Sequence, residues 1–420
     1  MRDSMEPIPR AAWAAVVMLM PVALLNYLDR QMLASMQASV LEDIPTLGGA
    51  ANREELWGFM LGQFKWVYAA FSLAGGYVAD RFSRRLTICG SLFVWSAVTW
   101  GTGQVTTYTE LLWTRTLMGA SEAFYIPAAL ALIADAHPGP TRSRAVGLHQ
   151  TAIYLGVIAG GFGGYVAAAP DLGWRFAFSA CGLLGMMYAV PLALMLRDAP
   201  RVPGRGPTPR ATPVAAGREL LANPSFLLLV LYFTLPATAG WVVRDWMPAI
   251  LLTEFGLGQG KAGVTAAVYW QVAAIVGVGG GGWVADRWVR SNDRGRVYVS
   301  ALGMTLIVAA IVGVGSAGTL GAAVGFLIVF GLGWGVFDCN NMPILSQIVR
   351  PQLRATGYGV MNFVSVSAGG LADWGFGVLR DRQVPLAVTF GLFAALAAVS
   401  GVLILFVTPR PELVRAEQPR

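Results

Sequence analysis

Gly76-Tyr77-Val78-Ala79-Asp80-Arg81 closes one apolar run of the chain, and Gly282-Trp283-Val284-Ala285-Asp286-Arg287 closes another, 206 residues further on. A second pair, Arg144-Ala145-Val146-Gly147 and Arg354-Ala355-Thr356-Gly357, opens two further apolar runs at an offset of 210. Both offsets are close to half of the 420-residue length. Two such matches point to a duplicated chain, and the apolar runs beside them show what was duplicated.

Charged residues make up 13% of the sequence and apolar residues 55%, whereas a soluble domain is about 25% charged. A chain this long would otherwise fold as two or three soluble domains. The composition excludes that, as it excludes disorder, a secreted disulfide scaffold and a nucleic-acid binder. Twelve stretches are long enough for the roughly 20 apolar residues that cross a bilayer. They are spans 1 to 12, over residues 11–37, 56–79, 87–104, 109–136, 143–168, 173–196, 225–253, 262–285, 297–315, 318–348, 355–378 and 386–407. They are too continuous for barrel strands, which alternate over about 10 residues. An all-α membrane protein follows.

Lysine and arginine set the orientation, because they collect in cytoplasmic connections. With the amino terminus inside, termini and inner connections hold 21 of the 30 basic residues and outer connections hold 5. Both termini are therefore expected in the cytoplasm, in a bacterial inner membrane. The first apolar run continues through Asn26, Asp29 and Arg30 with no small-residue cleavage pattern, so it is kept as span 1 rather than a signal peptide. The +7 net charge then reflects topology, and no nucleic-acid partner is expected. Cys89, Cys181 and Cys339 fall inside spans without metal-ligand spacing; no metal, cofactor or enzyme chemistry is expected. Residues 197–222, rich in Pro, Arg and Gly, read as an unpacked linker between a six-helix bundle at 1–196 and another at 223–420.

Arg30, Lys65, Arg115 and Arg244 remain within spans. A charge at the bilayer centre costs about 2.5–3.5 kcal/mol on insertion scales, so each needs a reason. Span 1 carries Asn26-Tyr27-Leu28-Asp29-Arg30, and span 2 carries Lys65 before Trp66 and Tyr68. In span 4, Arg115 and Glu122 lie seven apart on one helix face, with Gly119 between them giving room for a close neighbour. Span 7 holds Arg244-Asp245 between Trp241 and Trp246. Helical rise places these groups between mid-membrane and the outer third. They form either a shared polar cavity or structural ion pairs, such as Asp29 with Arg115 or Arg244 with Asp245. Gln150 and Tyr154 in span 5 are further cavity candidates. His149 reads as a hydrogen-bonded polar group, and Asp373 as a structural charge of the outer half.

A duplicated six-span unit is how many secondary transporters are built, with substrate held between the halves near mid-membrane. Gly76-x-x-x-Asp80-Arg81-x-Ser83-Arg84-Arg85 resembles the helix 2–3 signature of the major facilitator superfamily, with Ser83 where glycine is usual. The resemblance implies a major facilitator fold, with twelve transmembrane helices in two pseudo-symmetric six-helix halves. Asp80, Arg81, Arg84, Arg85, Asp135, Arg144, Asp286 and Arg287 are then candidates for an inner gate; the alternative is that the arginines serve orientation alone.

Tyr27-x-Asp29-Arg30, Phe64-x-Trp66-x-Tyr68 and Arg115-x-x-x-Gly119-x-x-Glu122-Ala123-x-x-x-Pro127 resemble the anion:cation symporter family of sugar-acid, sialic-acid and glutamate carriers. Trp241-x-x-x-x-Trp246-x-Pro248 and Asn362-Phe363 are also similar. In that family the two arginines hold an anionic substrate, and the span 1 Asp and span 4 Glu carry the coupling proton. The matching residues are Arg30, Arg115, Asp29 and Glu122. Lys65, Tyr68, Gln150, Tyr154, Arg244 and Asn362 complete the expected substrate-binding set. The sequence departs from the family where Ala128, Ala129 and Leu130 follow the span 4 proline, where Lys65 and Arg244-Asp245 add charge, and where Ser365 to Ser367 stand in place of an asparagine. The span 1 and span 4 residues also resemble Spinster-like lipid transporters.

Physical chemistry supplies a mechanism for the first resemblance. Arginine binds a carboxylate bidentately, and burial disfavours a charged Glu. Protonating Glu122 would free an arginine for the substrate anion, and losing that proton would restore the internal pair and expel the anion. Proton-driven symport of a small organic anion is therefore expected, with Na⁺ as the alternative coupling ion and a monomer as the working unit. A Spinster-like lysolipid or sphingoid carrier is the second reading, and a non-transporting substrate sensor the third.

Overall fold

The computed structural model describes residues 10–137, 141–198, 213–410 and 412–413. Among them there is no strand. The twelve spans are twelve long helical stretches. Spans 1 to 3 are Arg10–Ser35, Arg53–Arg81 and Arg84–Thr102. Span 4 is Tyr108–Glu122 followed by Tyr125–Ala136, and span 5 is Arg142–Gly161 followed by Gly163–Ala167. Span 6 is Gly173–Met195. Spans 7 to 9 are Pro224–Phe255, Gln259–Trp288 and Gly295–Ser316. Spans 10 to 12 are Leu320–Ile348, Arg354–Asp381 and Leu386–Leu403. Among the described residues, nine stretches are long and apolar enough to cross a membrane on that ground alone. The other three are spans 2, 3 and 11, and two of these contain Lys65 and Asp373.

The structure breaks three spans that the hydrophobic runs leave continuous. Span 1 stops at Ser35, and the chain goes on through short helices Gln37–Asp43 and Pro45–Gly48. Span 4 breaks between Glu122 and Tyr125 because Pro127 lacks an N–H and its ring crowds the carbonyl of residue 123. Span 5 steps at Phe162. The expected linker lies largely outside the described residues. Its end is not unpacked: Pro213–Leu221 is a helix. Ala216 and Leu220, four apart on one face, are buried and belong to the same apolar cluster as Phe226, Leu345 and Leu353.

Successive spans run in opposite directions, so the start of span 1 and the end of span 12 fall on one face, here the near face. Span 2 packs along span 11 and span 5 along span 8, while span 1 lies against spans 5 and 7. The pairings of span 2 with 11, 5 with 8 and 1 with 7 are contacts between the halves, and they are tightest toward the far face. A methyl group on Gly161 would sit 2.9 Å from the Gly263 carbonyl oxygen, and one on Gly263 would sit 2.4 Å from that of Gly161. The two backbones approach within a distance no side chain permits. Asp381, ending span 11, accepts the Glu54 and Glu55 amides at 3.2 and 2.7 Å. A carboxylate from one half thereby satisfies orphan amides and the dipole at the start of a helix in the other. Ser39 adds a bond to Gln259 at 2.9 Å. Toward the near face the interior is accessible. Asp338, mid-way along span 10, is exposed, and so is Tyr358 near the start of span 11. The molecule is closed on its far face.

Gly263→Leu should therefore penalise this closed arrangement by about 1–3 kcal/mol, the usual cost of overpacking. Spin labels at Glu42 and Lys261 are expected to move apart in the variant; an unchanged distance distribution would show that the glycine crossing does not hold the face shut.

Candidate functional site

Span 1 brings Asn26, Asp29 and Arg30 into the interior, and each is buried. Arg30 meets Glu122, the last residue before the span 4 break. Its Nε donates to Glu122 Oε2 at 2.7 Å, and its Nη2 donates to the same oxygen. Nη2 also reaches Asn26 Oδ1 at 3.4 Å. Asp29 is not paired with Arg115: its carboxylate accepts the Thr99 hydroxyl of span 3 at 3.1 Å. Gly119 has the packing role its position suggests, since a Cβ there would lie 2.6 Å from the Phe64 carbonyl oxygen. Span 2 thus comes close enough to place Phe64 and Tyr68 beside the arginines.

The four intramembrane cations form a row with aromatic rings between them. Arg115 and Arg30 both lie 4.8 Å from the Phe64 ring centre. Arg30 and Arg244 both lie 5.0 Å from that of Tyr27. Arg244 and Lys65 share Trp241, at 5.3 and 4.8 Å. Tyr68 gives Arg30 a further ring at 4.8 Å. Cation–π attraction is strongest where water is excluded, at about 2 kcal/mol, and here it spaces like charges that would otherwise repel.

Next to this row is a cavity of about 180 Å³ between the halves, whose walls include Tyr27, Gln150, Tyr154, Trp241, Arg244 and Asn362. Four of the expected binding residues, Gln150, Tyr154, Arg244 and Asn362, line it. Arg30, Arg115 and Tyr68 are not in its wall; Arg30 adjoins it through Tyr27. A larger depression of about 520 Å³ opens at the far face, but none of the four cations lines it. Arg115 Nε and Arg244 Nε and Nη2 make no hydrogen bond among the described residues, nor do Glu122 Oε1 and Asp29 Oδ1.

Lys65 is placed elsewhere than the cavity wall. Its ammonium donates to Asp245 Oδ2 at 2.5 Å and to Asp373 Oδ2. Arg244 Nε is 3.9 Å from Asp245 Oδ1, so Asp245 turns mainly to Lys65 and not to its sequence neighbour. Asp373 is the residue that sequence reasoning undervalued. It is a structural charge as expected, yet one that joins the two halves. An acid in mid-span was the available signal.

On the near face, Arg84 pairs with Asp135 and also donates to the Ala131 carbonyl at 2.8 Å. Asp286 pairs with Arg296 at 2.6 Å rather than with Arg287. Asp198, which was not singled out, accepts the Ser83 hydroxyl at 2.6 Å and the Arg85 amide at 2.8 Å. Arg81, Arg144 and Arg287 are exposed and form no ion pair among the described residues. The side chain of Asp80 lies outside the described residues. His149 bonds to the Tyr125 hydroxyl at 2.9 Å, in keeping with a structural polar group.

Thr99→Val would leave the buried Asp29 carboxylate without its hydroxyl donor. Loss of a bond to a buried acid costs about 1–3 kcal/mol, so the variant's detergent melting temperature should fall, whereas Thr99→Ser, which keeps the hydroxyl, should melt close to the parent.

The family model described as Major Facilitator Superfamily matches residues 19–372. The chain is 27% identical over 376 residues to an MFS-type efflux pump of Mycolicibacterium smegmatis, covering 89% of this chain and 85% of that protein. It is 23% identical over 421 residues to a hexuronate transporter of Bacillus subtilis, covering 96% and 97%. With protein spinster homolog 1 of Homo sapiens it shares 30% identity over 308 residues, which span 69% of this chain and 57% of that relative. A solved bacterial homolog of the human lysosomal transporter Spinster, inward-facing and unoccupied, has the same fold, with a TM-score of 0.75 over 95% of both chains at 20% identity. The duplicated signature, the twelve spans and the family match over most of the sequence agree: the chain belongs to the Major Facilitator Superfamily.

Proposed function

We propose that this protein is a proton-coupled symporter of a small organic anion, a sugar acid or similar carboxylate, working by alternating access. The superfamily makes it a membrane transporter and not an enzyme. The observation that carries the finer reading is the buried Arg30–Glu122 pair next to a cavity walled by Arg244. The name of the hexuronate transporter relative supports a cargo of that class.

Removing one partner from a buried ion pair costs about 3–5 kcal/mol. Arg30 therefore leaves Glu122 only when a proton neutralises the acid and a substrate carboxylate takes its place. Either event alone strands a charge in the bundle. Coupling follows from that double requirement. Arg244 is the first cation an anion meets in the cavity, with Gln150, Tyr154 and Asn362 as hydrogen-bonding walls; Arg30 and Arg115 stand deeper. Asp29, held by Thr99, shares the proton-carrying role. The near face, where basic residues gather, is cytoplasmic in a bacterial inner membrane, the two halves are the bundles 1–196 and 223–420, and one chain suffices for a cycle. The near-face pairs, Arg84 with Asp135 and Asp286 with Arg296, stay within single halves and are free to re-partner when that face closes.

Spinster-like lipid transport is the second reading, favoured by the 30% identity to the human relative. The cavity of about 180 Å³ with a cationic wall suits a sugar acid better than a lipid tail.

In proteoliposomes, Glu122→Gln is expected to abolish accumulation of D-glucuronate driven by a pH gradient, because the empty carrier can no longer re-form its internal pair, while counterflow persists. Accumulation that stays driven by the pH gradient in this variant overturns the mechanism. Drive by a Na⁺ gradient in the parent protein would reassign the ion. Arg244→Lys, which keeps charge but loses the bidentate fork, should raise the half-saturation concentration about 10-fold or more, a loss of roughly 1.4 kcal/mol. Lysolipid competing with glucuronate more strongly than other sugar acids do would favour the second reading.

A further inference from the structure

The exchange between Arg30 and Glu122 leaves a second buried charge cluster unused. Lys65 of span 2 holds Asp245 of span 7 and Asp373 of span 11. The three residues are 2%, 6% and 0% exposed. One ammonium faces two carboxylates, so the trio by itself carries a net negative charge. Arg244, whose Nε is 3.9 Å from Asp245 Oδ1, makes the set of four neutral. It is also the member that a ligand reaches, because it lines the cavity and its Nε and Nη2 make no hydrogen bond among the described residues. The charged and titratable groups facing the cluster from other spans are Tyr27, stacked on Arg244, and Arg30, with Glu122 and Arg115 of span 4 beyond.

We propose that Asp245 and Asp373 form a second proton-binding centre, separate from Glu122, which fills when an anionic substrate docks on Arg244. This rests on the reading of the cargo as a carboxylate. A carboxylate bound to Arg244 adds one negative charge to a set that is neutral only with Arg244 counted. A buried uncompensated charge is strongly disfavoured. A proton from water, forming an O–H bond on one of the two carboxylates, restores neutrality and leaves Lys65 paired with the other. The two acids share one ammonium. Asp373 Oδ1 makes no hydrogen bond among the described residues, so an oxygen is free to take the proton. Linkage is reciprocal: bound anion tightens the proton, and bound proton tightens the anion. Because Lys65 ties span 2 to spans 7 and 11, the proton also weakens one of its two ties between the halves, at the stage when the loaded carrier has to change its exposed face.

Isothermal titration of the purified protein with D-glucuronate and L-galactonate, in two buffers of different ionisation enthalpy, counts the protons taken up on binding. Asp373→Asn is expected to take up one proton fewer than the parent, because anion binding then neutralises a set that starts positive. The double variant Lys65→Gln with Asp373→Asn should regain that proton, since Arg244 with Asp245 is neutral again before the anion arrives. A merely structural role for Lys65 and Asp373 predicts no such recovery. Should Asp373→Asn be unstable, Asp245→Asn makes the same charge change and should lose the same proton. Proton uptake equal to the parent's in either aspartate variant overturns the proposal; if the uptake is lost only in Glu122→Gln, proton coupling stands and this centre falls. Binding of both sugar acids without any proton uptake by the parent, or binding of neither, overturns the symporter reading and this proposal together.

Discussion

A charge that has left water for the interior of a membrane bundle has to be neutralised where it stands, and the middle of this protein is organised around that requirement. Arg30 and Glu122 satisfy each other. Lys65 is shared by Asp245 and Asp373. The remaining cations lean on aromatic rings, Arg244 between these two sets and Arg115 beyond Arg30. Aromatic faces lower the cost of burying a cation without cancelling its charge. Arg115 Nε and Arg244 Nε and Nη2 are left without a hydrogen-bond partner among the described residues.

The same requirement links chemistry to conformation. Span 4 breaks after Glu122 because Pro127 follows, so the acid that pairs with Arg30 is the last residue of its helix, beside a discontinuity. The Lys65 cluster crosses the interface between the halves, and so do the Asp381 cap on span 2 and the glycine crossing of spans 5 and 8. Closure of the far face is therefore a sum of backbone fit, a carboxylate on a helix dipole, and a buried ion cluster. Backbone fit is indifferent to protons, whereas the cap and the cluster both rest on carboxylates. On the proposed reading a ligand acts on this interface through the cluster, which adjoins the cavity by way of Arg244.

Much of the architecture was legible before any coordinate. Gly76 to Arg81 and its repeat at Gly282 to Arg287 declared the duplication, apolar runs declared the spans, and Arg30, Arg115, Glu122 and Arg244 stood out as charges with no business in hydrocarbon. Less was legible in the pairings. Asp29 was as good a partner for Arg115 as Thr99 was for Asp29, and Arg244 had an acid as its immediate neighbour. Adjacent residues on a helix point about 100° apart, so sequence adjacency is poor evidence for contact. The break in span 4 could have been inferred from Pro127; the one at Ser35 had no comparable signal.

The sequence alone determines which side chains are charged, how many helices must bury them, and that the two halves are copies, because hydrophobic length and repetition are properties of the chain as written. Tertiary structure alone decides that Lys65 joins span 2 to spans 7 and 11, that Asp381 caps a helix in the other half, and that Arg244 and not Arg30 borders the cavity. These depend on the angles at which helices cross and the faces they turn to one another. Such angles are set by packing among residues hundreds of positions apart, and no local pattern encodes them.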